Sequence, residues 1–416
     1  MLHKRQQTLY PGPICFTCLA DCFLNSLWQE RTRYCIHEVH SSILYAGEQD
    51  RRMAGRNKMI SEKALLEQAR RLADGIMKNT ATPGTAYYMA QWDWYQGVAL
   101  YGLYRYYCCT HSRKALHYLL QWFDDHIAKG MPQKNVNSMC PLLTLTFLYE
   151  ETGKKSYLTI CREWLDYAMH GLPRTPESGF QHKTIDSENE GQLWDDTLYM
   201  TVLFVARMGA LLDEKQYIDE SVRQFLLHLK YLTELETGLF YHGWGFHGQG
   251  HFGKALWGRG NAWYTAGLVD YLDLAPVPGG VRLVLLSALE RQAQALRRYQ
   301  DADGMWHTLI NLPESSYPEA SASAGFSYGL LKAVRLGYLD ASFRSAGERG
   351  LAAIWKRIDE KGILQQVSAG TCVGTNLDYY RQIPLSPQPY GQSLALLALL
   401  EGLEWTKLQS DRQEEE

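Results

Sequence analysis

No stretch of the 416-residue chain approaches the ~20 consecutive apolar residues that a bilayer-crossing helix needs, so no membrane partner is expected. Charge of one sign is lacking too: the formal net charge is −3, too balanced for a nucleic-acid partner. The nine cysteines form no even framework along the chain, and Cys108-Cys109 fall inside a helical pattern, which reads as reduced thiols in a cytoplasmic protein. A phosphate loop, a dinucleotide fingerprint, a Gly-x-Ser-x-Gly elbow and a complete metal-ligand set are all missing. No cofactor and no metal is expected.

What is abundant is aromatic: 12 Trp and 27 Tyr, whose flat apolar faces with polar rims suit sugar rings as well as large cores. Residues 1–58 stand apart, without sustained helical periodicity and with four of the nine cysteines. Cys15, Cys18 and Cys22 have no second matched pair to complete a zinc or iron–sulfur site, and Asp21 interrupts any signal-peptide core. This segment is read as an atypical extension, with translation expected to begin at Met53 or Met59.

From residue 60 onward apolar positions recur at three- and four-residue steps. The stretches are 61–79, 92–109, 113–129, 137–152, 154–170, 194–212, 214–232, 260–273, 280–299, 321–337, 340–357 and 390–407. Strand signals are confined to 239–242 and 363–367. Short links such as Glu150-Glu151-Thr152-Gly153 make antiparallel neighbours. Six consecutive hairpins without a linker predict one all-α domain over 59–408, an (α/α)6 toroid, followed by a charged tail at 409–416.

In such a ring the segments entering the even-numbered helices lie at one end, and those segments are the unusual ones. They include Trp92-Asp93-Trp94, Asn135-Val136-Asn137, Gly179-Phe180-Gln181-His182-Lys183, Trp194-Asp195-Asp196, Tyr241-His242-Gly243-Trp244 and Trp257-Gly258-Arg259-Gly260-Asn261. Converging helix N-termini favour an anion, and His182, Lys183, His242 and Arg259 are expected to add a cationic rim. Trp92, Trp194, Trp244 and Trp257 would supply stacking walls, and Asp93 and Asp196 the chemistry. Each has a structural alternative: Asp93 as a helix cap, His242 as a packing histidine, Arg259 as a fastener between helices, and Lys183 as a solvated side chain. Asp195 is read as the cap of the sixth helix.

The ordered set Gly-Phe-Gln-His-Lys (179–183), Trp-x-Asp-Thr-Leu-Tyr-Met (194–200), Trp-Gly-Arg-Gly-Asn-x-Trp (257–263), Glu-x-Ser-Ala-Ser-Ala (319–324) and the late Gly-Thr resembles the unsaturated rhamnogalacturonyl hydrolases. These form glycoside hydrolase family 105, related to the unsaturated glucuronyl hydrolases of family 88. The resemblance spans roughly residues 60–408 and implies a six-hairpin α/α barrel. It implies removal of a 4,5-unsaturated uronic acid from the non-reducing end of lyase-generated oligosaccharides, the expected partner. It also implies a route unlike direct displacement at the anomeric carbon: an Asp protonates the enol-ether double bond and water adds to it.

By that resemblance Asp196 becomes the general acid and base, Asp93 the second carboxylate, and His182, Lys183, His242, Trp257 and Arg259 binding positions. Asn137, Trp92 and Trp194 complete the expected binding set. The run Gly243–Gly248 and the stretch Pro387-Gln388-Pro389 depart from the family pattern near substrate loops. Two other classes fit less well: a sugar epimerase on a similar toroid, using paired histidine bases, and a catalytically silent glycan-binding homologue.

Overall fold

The computed structural model describes residues 60–415 except 79–81, 83 and 86, with side chains as far as residue 409. The extension read over residues 1–58, with its cysteine cluster and start-site expectation, lies outside the described residues.

Twelve helices of ten or more residues follow in order among the described residues. They are α1 (Glu62–Met77), α2 (Trp94–Thr110), α3 (Arg113–Lys129), α4 (Cys140–Thr152), α5 (Lys155–Asp166), α6 (Leu203–Leu212), α7 (Lys215–Leu232), α8 (Gly258–Leu274), α9 (Gly279–Tyr299), α10 (Ala320–Arg335), α11 (Arg344–Trp355) and α12 (Pro389–Glu415). The last helix takes in residues 409–415, the stretch read as a tail.

Each even-numbered helix packs on the next, and α12 closes on α2, so these six form an inner ring. The odd-numbered helices pack outside it, α1 against α12, α3 against α2, and so on around. The chain is an (α/α)6 barrel. Sequence alone separates the two rings. In α1 the buried positions Leu65, Gln68, Ala69, Leu72, Ala73 and Ile76 form one stripe, and Ser61 caps the first turn by accepting from the Ala64 N–H. In α8 every residue from Gly258 to Leu272 is buried, which only a helix walled in on all sides can afford. Small residues let inner backbones approach: a Cβ on Gly329 would lie 2.7 Å from Thr265 Cγ2.

The connections are unequal. Inner-to-outer links are tight, as at His111-Ser112, Gly153-Lys154 and Asp213-Glu214, where the first residue of each turns through the left-handed region. Outer-to-inner links are long: 78–93, 130–139, 172–197, 233–257, 300–319 and 356–388. All six long links therefore lie at the N-terminal ends of the inner helices. Two of them join as a small antiparallel ladder, β1 (Gln192–Trp194) with β2 (Gly243–Gly245), in the register Leu193↔Trp244 and Trp194↔Gly243.

This ladder corrects one expectation. The run 194–212 is not helical from its start, because Trp194 ends β1. After the turn at Asp195 the helix begins, with a π-wound turn over Leu198–Val202 before α6 proper. Such turns recur at functional sites.

Candidate active site

The ladder decides which side chains meet. Pairing Trp194 with Gly243 brings the next residue, Asp195, beside His242, and the Asp195 N–H donates to the His242 carbonyl at 3.0 Å. The following residue, Asp196, then turns its carboxylate to the imidazole, with Oδ2 3.1 Å from His242 Nε2. On the other side of the ring, Nδ1 lies 2.8 Å from the Tyr380 hydroxyl. The Tyr380 oxygen also accepts from the Gly374 N–H at 2.9 Å.

Protonation follows from this chain of contacts. Burial pushes the His242 pKa down, though Asp196 opposes the shift, so the imidazole is neutral at pH 7. An ionised Asp196 only accepts, so His242 Nε2 carries the hydrogen, Nδ1 is bare, and Tyr380 must donate to it. Burial alone would raise the Asp196 pKa. The His242 hydrogen bond and imidazole outweigh it and hold the carboxyl below the ordinary carboxylate range.

Asp195 is the opposite case. Burial first, and the neighbouring Asp196 charge second, push its pKa well above the ordinary value. It is 0% exposed, and beyond the neighbouring Asp196 neither carboxyl oxygen has a hydrogen-bond partner. As an expected cap, its side chain has the Asp196 N–H alone to accept from. Its oxygens rest on α8, where a Cβ on Gly260 would stand 2.1 Å from Oδ2.

Around this centre, His182 stacks flat on Trp194 (4.2 Å between ring centres, 11° between planes) and its Nδ1 meets the Thr197 hydroxyl at 2.8 Å. Trp257 packs on His242 at 4.2 Å. Asp93 opens α2 and caps it, with Oδ1 accepting from the Trp94 N–H at 2.8 Å, and burial raises its pKa to about 6. An unbroken series of ring and cation contacts runs from Trp94 through Tyr390, Arg259 and Trp257 to His242, linking the two acids' surroundings. Burial raises the Asp93 carboxyl and the Cys372 thiol, the charge of Asp186 adds to both, and that of Asp196 adds to Cys372.

Asp195, Asp196 and His242 could be asked to hold a metal, since one ligand atom of each lies within 4.8 Å of the others. The donor set does not fit well. His242 Nε2 points its hydrogen at Asp196 and Nδ1 is taken by Tyr380, which leaves two carboxyl groups.

A model of glycosyl hydrolase family 88 matches residues 68–406. The chain belongs to that family. The unsaturated rhamnogalacturonyl hydrolase YesR of Bacillus subtilis (strain 168) is 34% identical over 344 residues, covering 82% of this chain and 96% of YesR. A crystal structure described as a possible member of the GH105 family, from Salmonella enterica serovar Paratyphi A, is 41% identical, with a TM-score of 0.81 over 84% of this chain and 96% of that one. The unsaturated glucuronyl hydrolase of Bacillus sp. GL1 is 19% identical at a TM-score of 0.63 over 82% and 96%, which speaks to the fold alone. This hydrolase is thus a glycosidase on the six-hairpin barrel that its sequence predicts.

Several expected binding residues of the hydrolase are engaged by contacts within the protein. Trp92 is core, packed on Trp122 and Phe123 with its Nε1 donating to the Ser138 carbonyl at 2.8 Å. The cationic rim is not formed as expected. Burial lowers the His182 pKa to about 4 and leaves that ring neutral. Lys183 pairs with Glu188 at 2.7 Å. Arg259 is a fastener: Nη1 donates to the Ser368 carbonyl and hydroxyl, and Nη2 to the Ala369 carbonyl (2.8 Å) and Thr371 hydroxyl (3.0 Å). Asn137 begins the short turn into α4 and remains half-buried at the same end. Tyr380 was missed. Its only signal was Asn376, which caps the five-residue helix Leu377–Arg381 that carries it.

Proposed function

We propose that the hydrolase releases a 4,5-unsaturated uronic acid from the non-reducing end of oligosaccharides left by polysaccharide lyases, with unsaturated rhamnogalacturonan disaccharides as its substrate class. The observation that carries this reading is the acid pair Asp195–Asp196 at the start of an inner helix, tied to a neutral His242. Hydration of an enol ether needs one proton-handling carboxyl and no nucleophile. Asp196 gives a proton to one carbon of the double bond. Water adds to the neighbouring carbon, the hemiketal opens, and the remaining sugar leaves. Six inner-helix N-termini at this end supply a field that favours the uronate carboxylate.

An epimerase would need paired histidine bases free to move protons, whereas His182 and His242 each spend a ring nitrogen on Thr197 and Asp196. We place the protein in the cytoplasm because the five described cysteines are free thiols. The test is loss of the ultraviolet absorbance of the conjugated double bond in lyase products. Wild type is expected to bleach it, and Asp196→Asn to lose about 10²–10⁴-fold in kcat. Equal activity in Asp196→Asn would sink the assignment.

A further inference from the structure

Asp196 is the ionised partner of a neutral imidazole, and a general acid in that state has no proton to give. The adjoining carboxyl has one. Asp195 is fully buried, and the one residue whose hydrogen bonding bears on its carboxyl is Asp196. The charged and titratable groups facing it are Asp196, His242, Tyr380 and Arg259, with neutral His182 and His228 behind. Arg259 is the sole permanent cation among these, and its Nη1 and Nη2 donate to residues 368–371, not to Asp195. Gly260 leaves no space on the α8 side. A bare carboxylate here would be an unpaired anion out of water beside a second anion, an arrangement costly enough that such a pair shares a proton.

We infer that Asp195 and Asp196 hold one proton between them, resident on Asp195, and that Asp195 reloads Asp196 during turnover. The reloading rests on the proposed function; the resting proton does not. The balance is simple. The Asp195 O–H bond breaks as an Asp196 O–H bond forms, and that bond breaks as a C–H bond forms on the substrate. The attacking water, as it bonds to carbon, returns a proton to Asp196, which passes it back to Asp195. One water is added and the pair is restored. Tyr380 completes the device, because its hydrogen bond fixes the His242 tautomer that keeps Asp196 the ionised member. Asp195 is thus a positioning residue acting through Asp196.

Infrared spectroscopy of the full-length protein at pH 7 tests the resting proton. A carbonyl band of an un-ionised carboxyl is expected in wild type and in Asp93→Asn, and its absence from Asp195→Asn. In the bleaching assay Asp195→Asn is expected to lower kcat about 100-fold with KM changed less than about threefold. A merely structural role predicts wild-type kcat, because Asn copies the shape of a neutral acid. Wild-type kcat in folded Asp195→Asn, or no such band in wild type, overturns the proposal. Should Asp195→Asn not fold, titration of the band in Asp93→Asn decides: persistence to pH 8 supports it, and loss below pH 8 overturns it. Failure of the substrate reading looks different, as no bleaching of lyase products by wild type with the band intact.

Discussion

The two ends of the barrel treat buried charge in opposite ways. At the C-terminal end of the inner helices, Asp270 (0% exposed) receives Lys332 Nζ at 2.7 Å and the Tyr328 hydroxyl at 2.5 Å, and Arg335 grips Glu401 with two hydrogen bonds. Lys332 and Arg335 close α10, where cations also answer the negative end of the helix dipole. At the N-terminal end, Asp195 has no cation on its oxygens and Asp196 has only a neutral ring. Charges that are matched hold the ring together; charges left unmatched mark where the proposed chemistry lies.

Breaking the matched end should cost stability without touching turnover. Lys332→Met leaves Asp270 buried without its cation, and an unfolding midpoint in urea should register a loss of about 3–5 kcal/mol. Activity per folded molecule should stay at the wild-type level; a fall in kcat would mean the two ends are not independent. Arg259→Lys sits between the cases, because a lysine cannot reproduce the fork that ties α8 to residues 368–371. A loss of about 2 kcal/mol is expected for the hydrogen bonds to charge that disappear, with Tyr380 and His242 loosened and kcat reduced; unchanged kcat would separate that loop from the acid pair.

Asp93→Asn sharpens the comparison from the other side. Its folded pKa of about 6 lies above the unfolded value, so the contribution of the neutral form is complete at low pH and is lost as pH rises through 6. Asn keeps the cap and cannot ionise. The variant should therefore gain about 1 kcal/mol over wild type at pH 7.5 and nothing at pH 3.5, measured as a thermal midpoint, the half-buried site screening part of the full shift.

The fold was legible because its signal is periodic and long. A single stripe on α1 and burial all round on α8 are direct readouts of outer and inner positions. The site end was legible because polar and aromatic residues crowd the long entering segments. What could not be read was commitment. Arg259 and Lys183 look like ligand cations as letters, and only three-dimensional neighbours, Ser368 and Glu188, show that they are occupied. Trp92 looked like a wall and is core, since an entering segment has both a cleft side and a ring side. Asp195 looked like a cap because the three-residue strand before it has no sequence period long enough to detect.

That strand sets a rule for how this enzyme can change. In the ladder between 192–194 and 243–245, a slip of one residue would turn every side chain to the opposite face and carry His242 away from Asp196. Insertions between the two segments' far ends, in 246–254 or 184–190, leave that register untouched. Those loops can therefore lengthen, while the spacing from Trp194 to Asp196 and from His242 to Gly243 works as a fixed gauge that tolerates no added residue.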